Sequence, residues 1–213
     1  MTNLKANPFF QSLPLVAILR GILPSEILPA AKILIEEGYR FIEVPLNSPD
    51  ALMSIKLLVD EYGDEAIVGA GTVTDQQKLI DVLETGAKLI VTPNMNPDVI
   101  SIASKRDCIV MPGVQTTTEA FTALSCGASA LKFFPAEVIG AKGIKAMKSV
   151  LPEGTVCLPV GGVAANKESM QEYLDVGADG FGLGSGLYQK GMSLEELKSR
   201  SHAYKKAWLG TQK

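Results

Sequence analysis

Lys132 lies in the apolar stretch ASALKFFPAE, residues 129–138, walled by Ala130, Leu131, Phe133 and Phe134. Burial among such side chains penalises the ammonium form. The pKa of the amine is therefore expected to fall toward neutrality and free a lone pair for attack on a carbonyl. That is the chemistry of a Schiff-base lysine; the other reading of the same run is a strand-end lysine that extends its charged head to water. Glu43, in FIEVPL, is the second ionisable residue in an apolar run. A carboxylate in mid-strand is costly to bury without a partner. It serves either as the ion-pair partner of Arg20 or Lys132, or as a general acid/base whose pKa is set by partial burial beside a cation.

Further polar residues fall late in, or just after, apolar runs: Arg20, Asn47, Thr72, Thr92, Asn94, Gln115 and Ser185. Arg20, in RGI, has the fork needed to clamp a carboxylate or a phosphate, although a strand-end arginine is also a common surface ion-pair partner. Gly161 and Gly162 follow one apolar run, and Gly184 with Ser185 and Gly186 follow another. Exposed backbone N–H groups at such places, with a helix N-terminus behind them, suit a phosphate dianion.

These residues need elements to carry them, and the chain supplies a repeating pattern. Apolar runs rich in β-branched residues recur: VAILRG from 16, FIEVPLN from 41, AIVGAGT from 66, LIVTPN from 89, CIVMPGV from 108, ALKFFPA from 130, VCLPVGGV from 156 and GFGLGSGL from 180. Amphipathic stretches of helical period lie between them, among them SEILPAAKILIEEG, DQQKLIDVLETG and TTEAFTALSCG. Several helical stretches end on a glycine, at 38, 86, 127 and 177, as expected of a left-handed C-cap. Near-continuous hydrophobicity in the strands marks a parallel sheet covered on its faces. The pattern predicts an α/β fold, a single (β/α)8 TIM barrel over residues 1–213 with a short N-terminal helix across its bottom; a doubly wound open sheet is the competing architecture. In a barrel the strand ends converge on one mouth, and the last two strands carry the usual phosphate site.

Composition narrows the classes of function. A formal net charge of -3 over 213 residues, with Lys and Glu scattered through the helical segments, offers no basic field for nucleic acid. Cys108, Cys126 and Cys157 are odd in number and widely spaced, and His202 is the lone histidine, so neither a disulfide framework nor a zinc site is expected. No run approaches the roughly 20 apolar residues of a membrane helix, and the N-terminus lacks an apolar signal core. A soluble, cytoplasmic, metal-independent protein without a cofactor is expected.

The motifs VAILRG, IEVPLNSP, VGAGTV, LIVTPN, MPGVQTTTEA, ALKFFPAE, VGGV and GLGSGLY, in that order, resemble the class I 2-keto-3-deoxy-6-phosphoaldonate aldolases, the phosphogluconate (KDPG) and phosphogalactonate (KDPGal) enzymes, over nearly the whole chain. The resemblance implies a homotrimeric barrel that forms a pyruvate Schiff base and releases glyceraldehyde 3-phosphate. It implies Lys132 as the imine lysine and Glu43 as the general acid/base. Thr72 and Pro93 would line the pyruvate end, with Phe134 beside Lys132. Arg20 and the glycine loops, with Gly161, Gly162, Gly184 and Ser185, would hold the acid and phosphate ends. Phosphogluconate enzymes typically read EVTLR and PTGG; here EVPLN and PVGG put Asn47 in place of an arginine and Val160 in place of a threonine, as in the phosphogalactonate branch, while FFPAE is of the phosphogluconate type. Two other readings stand beside this one: a phosphate-binding barrel isomerase or synthase with a charged, non-covalent Lys132, and a catalytically silent sugar-phosphate sensor.

Overall fold

In the computed structural model, which describes residues 4–212, every apolar run named above contributes a short parallel strand. The strands are β1 (Leu15–Ile18), β2 (Phe41–Pro45), β3 (Ile67–Gly71), β4 (Leu89–Val91), β5 (Ile109–Met111), β6 (Gly113–Val114), β7 (Leu131–Phe133), β8 (Cys157–Pro159) and β9 (Phe181–Leu183). Helices separate them. After the short α1 (Pro8–Ser12) come α2 (Pro24–Glu36), α3 (Ala51–Tyr62), α4 (Gln76–Glu84), α5 (Pro97–Ser104), α6 (Thr117–Ser125), α7 (Ala136–Lys148), α8 (Lys167–Leu174) and α9 (Leu194–Thr211). Gly38, Gly86, Gly127 and Gly177 all take positive φ, between 86° and 99°, just past the helices they end.

The architecture is α/β with a curled parallel sheet, drawn as two pieces: β5-β4-β3-β2-β1-β9 and β6-β7-β8. One expected strand, CIVMPGV, is split. Pro112 has no N–H and interrupts the ladder between β5 and β6, yet its carbonyl accepts from Lys132 N at 2.9 Å, and Val110 O accepts from Ser129 N at 2.8 Å. First and last strands lie side by side, with Val16 opposite Gly182. At the other junction a single bridge joins Val160 to Gly182, and Asp179 N donates to Cys157 O at 2.9 Å.

Strand alternation sorts the side chains into two apolar layers. Ile42 and Val44 of β2, and Leu131 and Phe133 of β7, point toward the helices and join the larger core. Phe41, Ala130, Val16, Val156 and Leu158 point to the concave inner face and form a second, smaller cluster. Glu43 has the parity of Phe41, and Lys132 that of Ala130. Both ionisable groups therefore stand on the inner face, just past its apolar layer. The runs look uniformly hydrophobic in sequence because both faces are apolar, and this hides the alternation.

The N-terminal segment closes the inner layer, as expected of it. Leu4 and Phe10 are buried in the inner cluster, and the Phe10 ring meets Phe41 edge-on at a centroid separation of 6.0 Å. Asn7 caps the short helix by accepting from Phe9 N and Phe10 N. Lys5 pairs with Asp179 at 2.8 Å, holding the segment to the loop before β9. No helix among the described residues is long and apolar enough to cross a membrane.

Because Phe10 stoppers the inner face, Phe10→Ala should lower the unfolding free energy by ~3 kcal/mol, the usual cost of emptying an aromatic core position. Urea denaturation followed by circular dichroism measures it; a loss under about 1 kcal/mol would mean that the segment contributes little to closing the core.

Candidate functional site

Lys132 and Glu43 are among the most buried charged residues of the chain, 6% and 1% exposed. Lys132 does not extend its head along an outer surface; its side chain stands on the apolar inner face. Neither group is paired. Both oxygens of Glu43 lack a hydrogen-bond partner, and among the described residues no ion pair links Glu43 to Lys132 or to Arg20. Lys132 Nζ instead lies 5.1 Å from the centroid of the Phe134 ring. The carboxylate has room because β3 is bare beside it: a Cβ on Gly71 would come within 1.6 Å of Glu43 Oε1.

The electrostatics follow from this burial. Desolvation pushes the Glu43 carboxyl up from its ordinary value, against the smaller pull of Lys132 and Arg20. Desolvation pushes the Lys132 amine down; Glu43 opposes the shift and Arg20 adds to it. Both shifts run toward the uncharged forms, because burial penalises the ammonium and the carboxylate alike. Between them, with Val16, Ile18, Val91, Met111, Leu158 and Val160, lies an inner cavity of about 10 Å³. That is near the room one water needs.

Above this cavity opens a cleft of about 660 Å³. Lys132 and Phe134 form its floor with Thr72 and Pro93, all of them residues singled out in the sequence. Thr72 follows β3 with φ 61°, a left-handed conformation that costs a non-glycine residue on the order of 1 kcal/mol. Pro93 is carried by a loop tied down by Thr92, whose buried hydroxyl donates to Asn94 O and accepts from Gly113 N. Arg20 lines one wall, with Nη1 donating to Asn47 Oδ1 at 2.6 Å. Asn47 does not line the cleft; it reaches the site through that hydrogen bond. Val160, Gly161, Gly162, Gly184 and Ser185 complete the lining.

Some expectations fail here. Gln115 is exposed, and its backbone N–H donates at 2.9 Å to Glu119, the carboxylate that forms a capping box with Thr116. Neither Gln115 nor Asn94 lines the cleft. No helix stands directly behind the glycine loops, since α8 starts only at Lys167 and α9 only at Leu194. A single turn follows β9 instead, with Gly184 O accepting from Leu187 N and Tyr188 N. Among the described residues no acceptor inside the chain partners the N–H of Ser185 or Gly186. These two amides stand at the start of the turn and are free to donate to an anion.

Sequence reasoning missed Lys190, Glu137, Tyr188 and Tyr204, which also line the cleft. Lys190 packs its stem over Gly21 and has no carboxylate partner among the described residues. Glu137, in the first turn of α7, brings its carboxylate against Gly162. Each lies in a polar stretch that reads as ordinary surface. Among the described residues no group of three His, Cys, Asp or Glu converges as metal donors.

Comparison with known proteins places these features among relatives. A sequence profile described as "Aldolase: KDPG and KHG aldolase" matches residues 7–200. The 2-dehydro-3-deoxy-6-phosphogalactonate aldolase of Escherichia coli K12 is 45% identical over 92% of this chain and 95% of its own length. A solved structure titled "Native KDPGal structure" superposes with a TM-score of 0.91 at 44% identity, covering 94% of this chain and 96% of that one. A chain of a cube-shaped, highly porous protein cage, designed by fusing symmetric oligomeric domains, gives the same TM-score of 0.91 at 45% identity, with 94% of this chain and 73% of that one covered.

Desolvation of Lys132 has a direct readout. In reductive methylation with formaldehyde, followed peptide by peptide by mass spectrometry, Lys132 should stay reactive at pH values where surface lysines no longer react, because its amine loses its proton at lower pH. Glu43→Gln removes the charge that holds the proton on, so the reactive limb should move to still lower pH. A limb that coincides with that of surface lysines would contradict the burial argument.

Proposed function

The chain belongs to the KDPG and KHG aldolase family, and on that premise we propose that it is a class I aldolase that cleaves a 2-keto-3-deoxy-6-phosphoaldonate reversibly to pyruvate and D-glyceraldehyde 3-phosphate. The observation that carries the reading is the buried, unpaired Lys132 and Glu43 facing one water-sized cavity under an open cleft. An isomerase with a permanently charged lysine would need a counter-ion at Lys132, and the sensor reading leaves the buried pair without a use.

Neutral Lys132 attacks the C2 ketone and forms a carbinolamine. Glu43, entering as the neutral acid, gives its proton to the departing hydroxyl, which leaves as water. The site then holds an iminium and a carboxylate, each stabilising the other where neither charge alone was favoured. The carboxylate takes the proton of the C4 hydroxyl, directly or through one water. The C3–C4 bond breaks, its electron pair passes into the iminium as an enamine, and glyceraldehyde 3-phosphate departs. Return of the proton to C3 and hydrolysis of the imine release pyruvate. A raised carboxyl pKa suits a group that must give and take the same proton in turn.

The rest of the cleft sorts by charge. Thr72, Pro93 and Phe134 bound the pyruvate end. Arg20, held by Asn47, and Lys190 supply the positive charge for the two anionic ends of the substrate, and the Ser185 and Gly186 amides receive the phosphoryl group with Gly161, Gly162 and Gly184. Glu137, of the wrong sign for an anion, directs that group to the Ser185 side. Val160 presents methyls where a threonine would offer a hydroxyl, which together with Asn47 supports the galactonate-type epimer; a hydrogen bond of that kind is worth about 1 kcal/mol.

A closed single-domain (β/α)8 barrel is part of the same proposal, supported by the pairing of β1 with β9, the Val160–Gly182 bridge and continuity through Pro112. So is a homotrimer. Exposed Leu52 and Met53 rim a groove of about 430 Å³ with Lys78 and Asp81, a partly apolar surface suited to a second copy.

Borohydride with pyruvate should trap the wild-type protein on Lys132, shown by a mass shift on its peptide; Lys132→Ala and Lys132→Arg should both abolish the adduct, since a guanidinium offers no neutral amine. Full trapping in Lys132→Ala would sink the assignment. In a coupled assay of pyruvate release from the two C4-epimeric substrates, Val160→Thr should raise the relative rate on the phosphogluconate epimer several-fold, the equivalent of about 1 kcal/mol. An unchanged ratio would remove Val160 as the discriminating residue.

A further inference from the structure

The turn that offers the Ser185 and Gly186 amides to the cleft is held from outside it. All three carbonyls of Gly184–Gly186 accept hydrogen bonds from within the chain. Gly184 O accepts within the turn, as described. Ser185 O accepts from Gln189 Nε2 at 3.1 Å and from Arg200 Nη1 at 3.2 Å. Gly186 O accepts from the same Arg200 Nη1 at 3.2 Å. A carbonyl fixed outward fixes the peptide plane, and with it the direction of the amide one bond further on. Arg200 also donates from Nη2 to Glu196 Oε1 at 2.6 Å, which fixes the guanidinium fork on α9.

One turn along the same helix stands Tyr204, on the same face as Arg200. Its hydroxyl donates to Val163 O at 2.8 Å, anchoring the loop after β8. The same oxygen lies against Gly186, where an added Cβ would come within 2.1 Å of it. Thus α9 touches both glycine loops at once, through two side chains a turn apart. A surface arginine in an i,i+4 pair would contribute only about 0.3–0.5 kcal/mol and have no reason to reach two carbonyls fourteen and fifteen residues earlier in the chain.

We propose that Arg200, with Tyr204, is a positioning residue for the phosphoryl group: its bond to Ser185 O sets the direction of the Gly186 amide in the same peptide, its bond to Gly186 O steadies the turn in which Gly184 O holds the Ser185 amide, and it does not itself touch the substrate. The proposal rests on the aldolase reading for its substrate, but its core, an anion site formed by braced amides, is testable with inorganic phosphate alone.

The test is Arg200→Met, which keeps the stem and removes the fork, with Arg200→Lys as the conservative variant. Folding is checked by circular dichroism and thermal denaturation, and binding of inorganic phosphate is measured by calorimetry. Arg200→Met should raise the phosphate Kd and the KM for the phosphorylated substrate together, each about tenfold, with kcat within twofold of wild type. Borohydride trapping with pyruvate, which carries no phosphate, should be unchanged. Arg200→Lys, which can still donate to one carbonyl, should fall between. Phosphate Kd within twofold of wild type in a folded Arg200→Met protein would overturn the proposal, and so would an equal loss of pyruvate trapping, which would mark Arg200 as a general structural support. If Arg200→Met does not fold, the Arg200→Lys phosphate Kd decides by the same criterion. If wild type binds phosphate but is not trapped with pyruvate, the aldolase reading fails while the brace is still judged on phosphate.

Discussion

Two ionisable groups on the inner face of the sheet are buried without hydrogen-bond or ion-pair partners, and the rest of the site is organised around that constraint. Leaving a buried polar group unpaired costs on the order of 1–3 kcal/mol, and charging it in isolation costs far more. Burial shifts the amine down and the acid up, and the fold supports both on an apolar layer plugged by Phe10. In the proposed reaction, the stability given up at Glu43 and Lys132 leaves a nucleophile and an acid that need no further preparation. Ground state and intermediate then differ in the right direction: opposite charges that neither group sustains alone become favourable once an iminium forms beside a carboxylate.

The cleft has a gradient of dielectric as well as of charge. At its floor, the carbonyl chemistry takes place among Phe134, Pro93 and Val160, where an electrostatic interaction is only weakly screened. Toward the rim, Arg20, Lys190 and the amides of the β9 turn lie in more exposed surroundings, where an already hydrated phosphate can be received without large desolvation. Separating the two ends lets binding strength at the rim fix the position of bonds at the floor. The helix that braces the rim, α9, also packs its apolar face with Leu197 and Trp208 into the outer core, so the anion site is rigid by reference to the same core that positions the strands.

Legibility in the sequence followed contrast. Lys132 and Glu43 stand out because a charged residue in an apolar strand is anomalous, and the structure places both at the pocket. The alternation of apolar runs with amphipathic helices, and the glycines that end those helices, was likewise readable, since each reflects a local preference of the backbone. Thr92, Asn94 and Gln115 have the same kind of polar-after-apolar position, yet the Thr92 hydroxyl serves its own loop, and Asn94 and Gln115 take part only through backbone groups that any residue would supply. Lys190, Glu137, Arg200 and Tyr204 carried no signal. They lie in polar or amphipathic segments where a charge or a tyrosine is ordinary, and the carbonyls that Arg200 reaches belong to peptide groups that every residue has.

The sequence by itself determined which segments are strands, which are helices, and which two ionisable groups would be forced into an apolar setting, because those outcomes depend on periodicity and on the cost of desolvation. Tertiary structure decided that Glu43 and Lys132 share one small cavity without touching, that Asn47 acts through Arg20, and that the last helix holds the glycine turn. Those are relations between residues far apart in the chain, set by strand register and by the close approach that Gly71 and Gly186 permit. No local pattern encodes a distance of that kind.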